Sequence, residues 1–177
     1  MVMKILCLED SDKACDNIEL FNDRHNYQID FVDTITAFDE IIFYMEGYKT
    51  YDAFVIDLCI NMPQLTREFI VERIPLLNLP EVPTYCVEGE NIPLYGLDYF
   101  RLVIAKRAET EAMVSEGRVI FFSGHAAKIR TRGDYDESMP VFKHTTLIDR
   151  AEQGATSKLF SMLSEIEGNM KKRGGNA

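Results

Sequence analysis

The sequence predicts an α/β fold built on a doubly wound parallel sheet with helices on both faces. Two observations predict it. Short apolar runs recur along the chain and several end abruptly in a charged or small polar residue, as in LCLED, FVIDL and VIFFSG. The stretches between them carry helical apolar spacing and short connections, the mark of alternating strands and helices.

The elements follow in order. Met3–Leu8 is nearly continuous in apolar residues, as expected for a strand buried on both faces. Ser11 or Asp12 can cap a helix carrying Ala14, Ile18 and Phe21. Tyr27–Val32 is a second strand. Thr34 or Thr36 can cap a second helix, with Phe38, Ile41, Ile42 and Met45 on one face and Gly47 as its stop. Tyr51–Leu58 is a third strand and contains Asp57 near its end.

Residues 59–93 interrupt this rhythm. Five of the six prolines fall here, so long regular elements are broken, although Thr66–Ile74 can form a short helix. The stretch keeps its Leu, Val, Tyr and Ile, so it reads as a packed insertion rather than a disordered one. A lid, a docking surface and a dimer contact all remain open for it, docking being favoured. From Gly96 to about Glu116 a helical stripe returns with Leu97, Phe100, Ile104 and Ala108. Arg118–Phe122 is a fourth strand, ended by Ser123-Gly124. His125–Phe142 is polar and turn-rich, with at most a short helix near Ala126–Arg130. Thr145–Ile148 is a fifth strand, followed by Asp149-Arg150, and Ser157–Ile166 is an amphipathic helix on Leu159, Leu163 and Ile166. One domain over residues 1–170 is expected, with 171–177 a flexible tail.

Composition narrows the function. A formal charge of -10 repels phosphate backbones, and the basic cluster Lys171-Lys172-Arg173 lies in that tail, so direct nucleic-acid binding is not expected. The cysteines Cys7, Cys15, Cys59 and Cys86 form no C-x-x-C pair, and His25, His125 and His144 lack metal-ligand spacing, which argues against structural zinc. No signal peptide and no long apolar run is present, so a cytoplasmic, membrane-free protein is expected.

In a parallel sheet with right-handed crossovers the carboxyl ends of the strands share one edge, where ligands bind. That edge should receive Glu9, Asp10, Asp57, Ser123 and Arg150. Clustered carboxylates call for a cation, and an all-oxygen set suits a hard ion such as Mg²⁺. A carboxylate can itself be the nucleophile and form an aspartyl phosphate. A hydroxyl from Ser123 and a fixed cation from Arg150 would then meet the charge on the transferred group.

LCLED, YDAFVIDL, VIFFSG and TLIDR together resemble the receiver domain of response regulators, over about residues 3–58 and 94–167. The resemblance implies a flavodoxin-like (βα)5 fold with a large insertion between strand 3 and helix 3. It implies that Glu9 and Asp10 hold Mg²⁺, that the carbonyl of Cys59 completes the metal shell with Asp57, and that Asp57 accepts a phosphoryl group. It also implies two-component phosphorelay signalling, with a sensor histidine kinase or phosphotransfer protein as donor. A downstream protein partner would then read the signal, a homodimer is possible, and the only chemistry is the domain's own phosphorylation and dephosphorylation.

The sequence departs from the family in three places. Arg150 stands for the family's lysine, Leu147 for its switch aromatic, and a long insertion for a short loop. These departures keep open an alternative, a pseudo-receiver that works by protein contact and is not phosphorylated in use. Asp10-Ser11-Asp12, Ser123-Gly124 and Gly133-Asp134 also loosely resemble the motifs of haloacid-dehalogenase phosphatases. His125, two residues past Ser123, could overhang a phosphoryl group and affect its hydrolysis.

Overall fold

The computed structural model describes residues 2–60, 84–87, 90–93 and 95–174. Five strands, β1 (Lys4–Leu8), β2 (Gln28–Val32), β3 (Ala53–Ile56), β6 (Val119–Ser123) and β7 (Thr146–Asp149), form one sheet in the order β2-β1-β3-β6-β7. Every pairing in it is parallel. This is the α/β flavodoxin-like architecture, and the order reverses between β1 and β3, where such sheets open a crevice. β4 (Thr84–Val87) and β5 (Glu90–Pro93) form a separate antiparallel hairpin inside the stretch expected as an insertion. The helix expected at Thr66–Ile74 lies outside the described residues.

The apolar runs are continuous because alternate side chains enter opposite layers. Leu6 and Leu8 of β1 join Phe54, Ile56, Phe121 and Leu147 on one face. Ile5 and Cys7 join Val55, Ile120, Phe122 and Ile148 on the other. The first face is covered by α2 (Ile35–Asp39), α4 (Tyr95–Leu102) and α6 (Ala126–Arg132), through residues including Ile35, Phe38, Leu97, Phe100 and Ile129. The second is covered by α1 (Asp12–Asn22) and α7 (Ala155–Gly174), through Ile18, Leu159, Leu163 and Ile166. The sheet therefore sits between two helical layers, and fully burying each large side chain contributes roughly 1.5–3 kcal/mol.

Several local expectations are corrected. Thr34 caps α2, its hydroxyl accepting from the Ala37 N–H at 3.2 Å. The helix then widens into a π-turn over Glu40–Tyr44, closed by the Met45 N–H to the Glu40 carbonyl. The wider turn shifts the apolar stripe, so Met45 points to solvent at 69% exposure instead of joining Phe38 and Ile42 in the core. Gly47 opens the short helix α3 (Gly47–Thr50) and does not stop the preceding one.

α4 ends at Leu102, and 3₁₀ turns at Ile104–Lys106 and Ala108–Thr110 follow before α5 (Glu111–Ser115). The tighter turns leave Ala108 exposed, off the expected stripe. The turn-rich stretch after α6 contributes Tyr135 and Phe142 to the core, where they pack with Phe121 and each other. α7 continues through Lys171-Lys172-Arg173 to Gly174, so the helix crosses the expected start of a tail at residue 171. Arg173 pairs there with Glu116 and Lys171 with Glu167. Among the described residues no helix is long and apolar enough to cross a membrane.

Candidate functional site

β1 and β3, the strands flanking the order reversal, pair with Leu8 opposite Ile56. Each then runs one residue further into a carboxylate. The Glu9 N–H donates to the Val32 carbonyl and the Asp57 N–H to the Leu8 carbonyl, both at 2.9 Å, so both backbones remain tied to the sheet. On the other side Ser123 pairs with Asp149, and the Arg150 N–H donates to the Ser123 carbonyl at 2.9 Å. In-register ladders thus bring Glu9, Asp57, Ser123 and Arg150 to one rim.

The carboxylates of Glu9, Asp10 and Asp57 converge, with one oxygen from each lying within 4.8 Å of the others. Glu9 and Asp57 are buried and Asp10 is half-buried. Backbone donors hold the first two: the Ser11 N–H meets Glu9 Oε1 and the Cys59 N–H meets Asp57 Oδ1, each at 3.1 Å. Arg150 spans the pair. Its Nη1 donates to Glu9 Oε2, and its Nη2 lies 3.5 Å from Asp57 Oδ2. The guanidinium lies against Gly124, where a Cβ would stand in ordinary contact with Nη2 at 3.5 Å.

The electrostatics report crowded negative charge. Burial and the neighbouring Asp57 push Glu9 up to about 7, against the opposing pull of Arg150. Arg150 is itself held above its ordinary value by the same carboxylates, led by Glu9, despite its partial burial. A cluster of oxygen donors with excess negative charge is chemically suited to a hard metal ion. The cluster is thus a candidate metal centre.

A scan of protein-family models finds no match to this chain, and a search of curated proteins finds no significant relative.

Ser123 is fully buried at the rim; its Oγ accepts from the His125 N–H at 3.4 Å and lies 3.9 Å from Cys59 Sγ. Burial, with Asp57 adding, pushes the Cys59 thiol up to about 12, so it is protonated at neutral pH. His125 is half-buried at the start of α6. Asp12, by contrast, is an exposed first-turn residue of α1. Gly133-Asp134 follows the far end of α6, a helix length or roughly 10 Å from its start beside Ser123. Neither aspartate belongs to the cluster.

Two contributors escaped the sequence reading. Gly96 of α4 packs directly on the Asp57 backbone. Asp149, buried, accepts from the Ala127 N–H at 3.1 Å and the Ala151 N–H at 2.9 Å, fixing the start of α6 and the turn that carries Arg150. An aspartate directly before the arginine at a strand end was the only available signal. A cavity of about 420 Å³ lined by Glu116, His144, Thr146, Glu165, Asn169 and Arg173 lies at the opposite, amino ends of β6 and β7. It holds none of the rim residues.

Proposed function

We propose that the chain is a receiver-type phosphoacceptor, with Asp57 as the acceptor and Mg²⁺ as the ion held by Glu9, Asp10 and Asp57, together with the Cys59 carbonyl. The observation that carries this reading is the convergence of three carboxylates at the order reversal, with a hydroxyl and a guanidinium on the adjoining strand ends. When bound, the metal would neutralise the carboxylates and polarise the incoming phosphoryl group.

The chain's own groups fit the remaining work. An Asp57 carboxylate oxygen forms the new bond to phosphorus while the bond to the donor, a phosphohistidine nitrogen or a small acyl phosphate, breaks. Where the donor is phosphohistidine, the leaving imidazole takes up a proton. Charge on the equatorial oxygens is met by Ser123 Oγ–H and by the Arg150 guanidinium, which can grip two oxygens at once. The signal would leave by protein–protein contact, to a downstream partner, after donation from a sensor kinase or phosphotransfer protein. The site's chemistry is then self-modification, not turnover of a free substrate.

A second reading, a pseudo-receiver, is favoured by one observation: Arg150 already fills the acidic cluster with a cation of the protein's own. One experiment separates the two. The chain is incubated with Mg²⁺ and acetyl phosphate, and intact mass is measured for wild type and Asp57→Asn. The phosphoacceptor reading expects one hydroxylamine-labile phosphoryl group on wild type and none on the variant. Wild type that gains no phosphoryl group, and forms no beryllofluoride adduct, leaves only the pseudo-receiver.

The phosphatase alternative lacks support from the same geometry, because Asp12 and Asp134 stand apart from the cluster and Asp57 would have no role.

A further inference from the structure

The two carboxylates that Arg150 spans are buried and held by backbone N–H groups, whereas the Arg150 side chain is partly exposed and held by those carboxylates. Glu9 and Asp57 side chains are 2% and 4% exposed, and each is held by a backbone N–H. The Arg150 side chain is 28% exposed, lies against a glycine, and is followed by the exposed stretch Ala151–Gly154. If a cation is to reach these carboxylates, the arginine is the group that can move. A guanidinium freed from them is also a strong bidentate partner for phosphoryl oxygens.

We propose that Arg150 is a tethered counter-ion that competes with the divalent metal for Glu9 and Asp57, so that metal and phosphoryl group enter by exchange. With a metal on the carboxylates, the guanidinium would turn away from them and be captured by the phosphoryl group. This rests on the phosphoacceptor reading for the identity of the captured anion. Two ligands that each need the same ion pair broken assist one another: the first removes the cost for the second. Metal alone therefore binds weakly, and metal with a phosphoryl mimic binds much better.

The test measures Mn²⁺ binding to the full chain from the EPR signal of the free ion, with and without beryllofluoride, and follows thermal unfolding in parallel. Wild type is compared with Arg150→Met and Arg150→Lys. The expected result is that Arg150→Met binds the metal alone about tenfold tighter than wild type or better, and loses most of the assistance between metal and mimic. Equal or weaker metal binding by folded Arg150→Met overturns the exchange. Should that variant fail to fold, Arg150→Lys decides, because an ammonium lacks the planar fork whose Nη1 and Nη2 each meet one carboxylate: tighter metal binding supports the exchange and unchanged binding overturns it. A wild type that forms the beryllofluoride adduct while metal affinity ignores position 150 overturns the exchange alone. No metal uptake and no adduct in any of the three proteins overturns the phosphoacceptor reading as well.

Discussion

Gly96 and Asp57 meet backbone to backbone: a Cβ at position 96 would stand 2.0 Å from the Asp57 carbonyl oxygen and 3.1 Å from the Leu58 Cα. The first turn of α4 is therefore seated directly on the strand end that presents the central carboxylate. No flexible side chain is available to yield, so an added methyl must move either the helix or the strand. Gly96→Ala is expected to destabilise the fold by about 1–3 kcal/mol, the usual cost of overpacking, and to weaken metal binding at the rim. Urea unfolding and Mn²⁺ titration would check both. Wild-type values in both would show that the contact is easily relieved.

Asp149 ties two elements together, and its removal should loosen both. Asp149→Ala leaves the Ala127 and Ala151 N–H groups without their carboxylate acceptor, and a lost cap of this kind costs roughly 1–2 kcal/mol. Asp149→Asn keeps an acceptor oxygen and should recover part of that loss. A difference of less than about 0.3 kcal/mol between wild type and Asp149→Ala in chemical denaturation would contradict this role.

Asp98 gives a pH dependence with a definite sign. It lies in α4, is buried, and its Oδ2 has no hydrogen-bond partner among the described residues. Burial pushes it from 3.8 up to about 6, against the pull of Arg101 and with Asp134 adding to the rise. The folded state thus binds the proton more tightly than the unfolded chain. The resulting stability is fully present below the unfolded value and is lost as pH rises through about 6. Asp98→Asn should therefore gain about 1–2 kcal/mol over wild type near pH 8 and little near pH 4. A gain that does not depend on pH would assign the effect to packing instead.

Ser123 separates function from stability. Among the described residues its hydroxyl makes only long contacts, 3.4 Å to the His125 N–H and 3.9 Å to Cys59 Sγ, so Ser123→Ala should change stability by less than about 1 kcal/mol. Under the phosphoacceptor reading it should slow labelling of Asp57 by acetyl phosphate about 10- to 100-fold, as loss of a donor to developing charge does. Unchanged labelling kinetics would remove Ser123 from the transfer step.

His125 should matter little to folding, since it is half-buried at the start of α6. If its side chain overhangs the phosphoryl group, His125→Ala changes the lifetime of phosphorylated Asp57 by about threefold or more, within the range one positioned group commands. A lifetime equal to wild type makes it an ordinary surface residue.

The strands were legible in the sequence because a buried parallel strand needs apolar residues on both faces, and few other structures require such runs. Met3–Leu8, Tyr27–Val32, Tyr51–Leu58, Arg118–Phe122 and Thr145–Ile148 each contain or overlap an observed strand, with ends displaced by a residue or two. Glu9, Asp57 and Ser123 could be placed on one rim for the same reason, since strand direction alone sends their ends to a common edge. The helical stripes were less secure. A π-turn moved Met45 out of the core and 3₁₀ turns moved Ala108 out, because a change of pitch leaves no clear trace in apolar spacing. Tyr135 and Phe142 went unnoticed as core residues, since isolated aromatics among turn residues carry no period.

By itself, then, the order of residues determined the layer architecture and which carboxylates share the rim, because burial and chain direction are properties of local pattern. Only the tertiary structure decided that Arg150 spans Glu9 and Asp57, that Gly96 bears on the Asp57 carbonyl, and that Asp149 holds the start of α6. Those contacts join residues between 22 and 141 positions apart in the chain for the two whose hydrogen bonds fix the spacing. They depend on ångström-scale packing between elements, which no periodicity encodes.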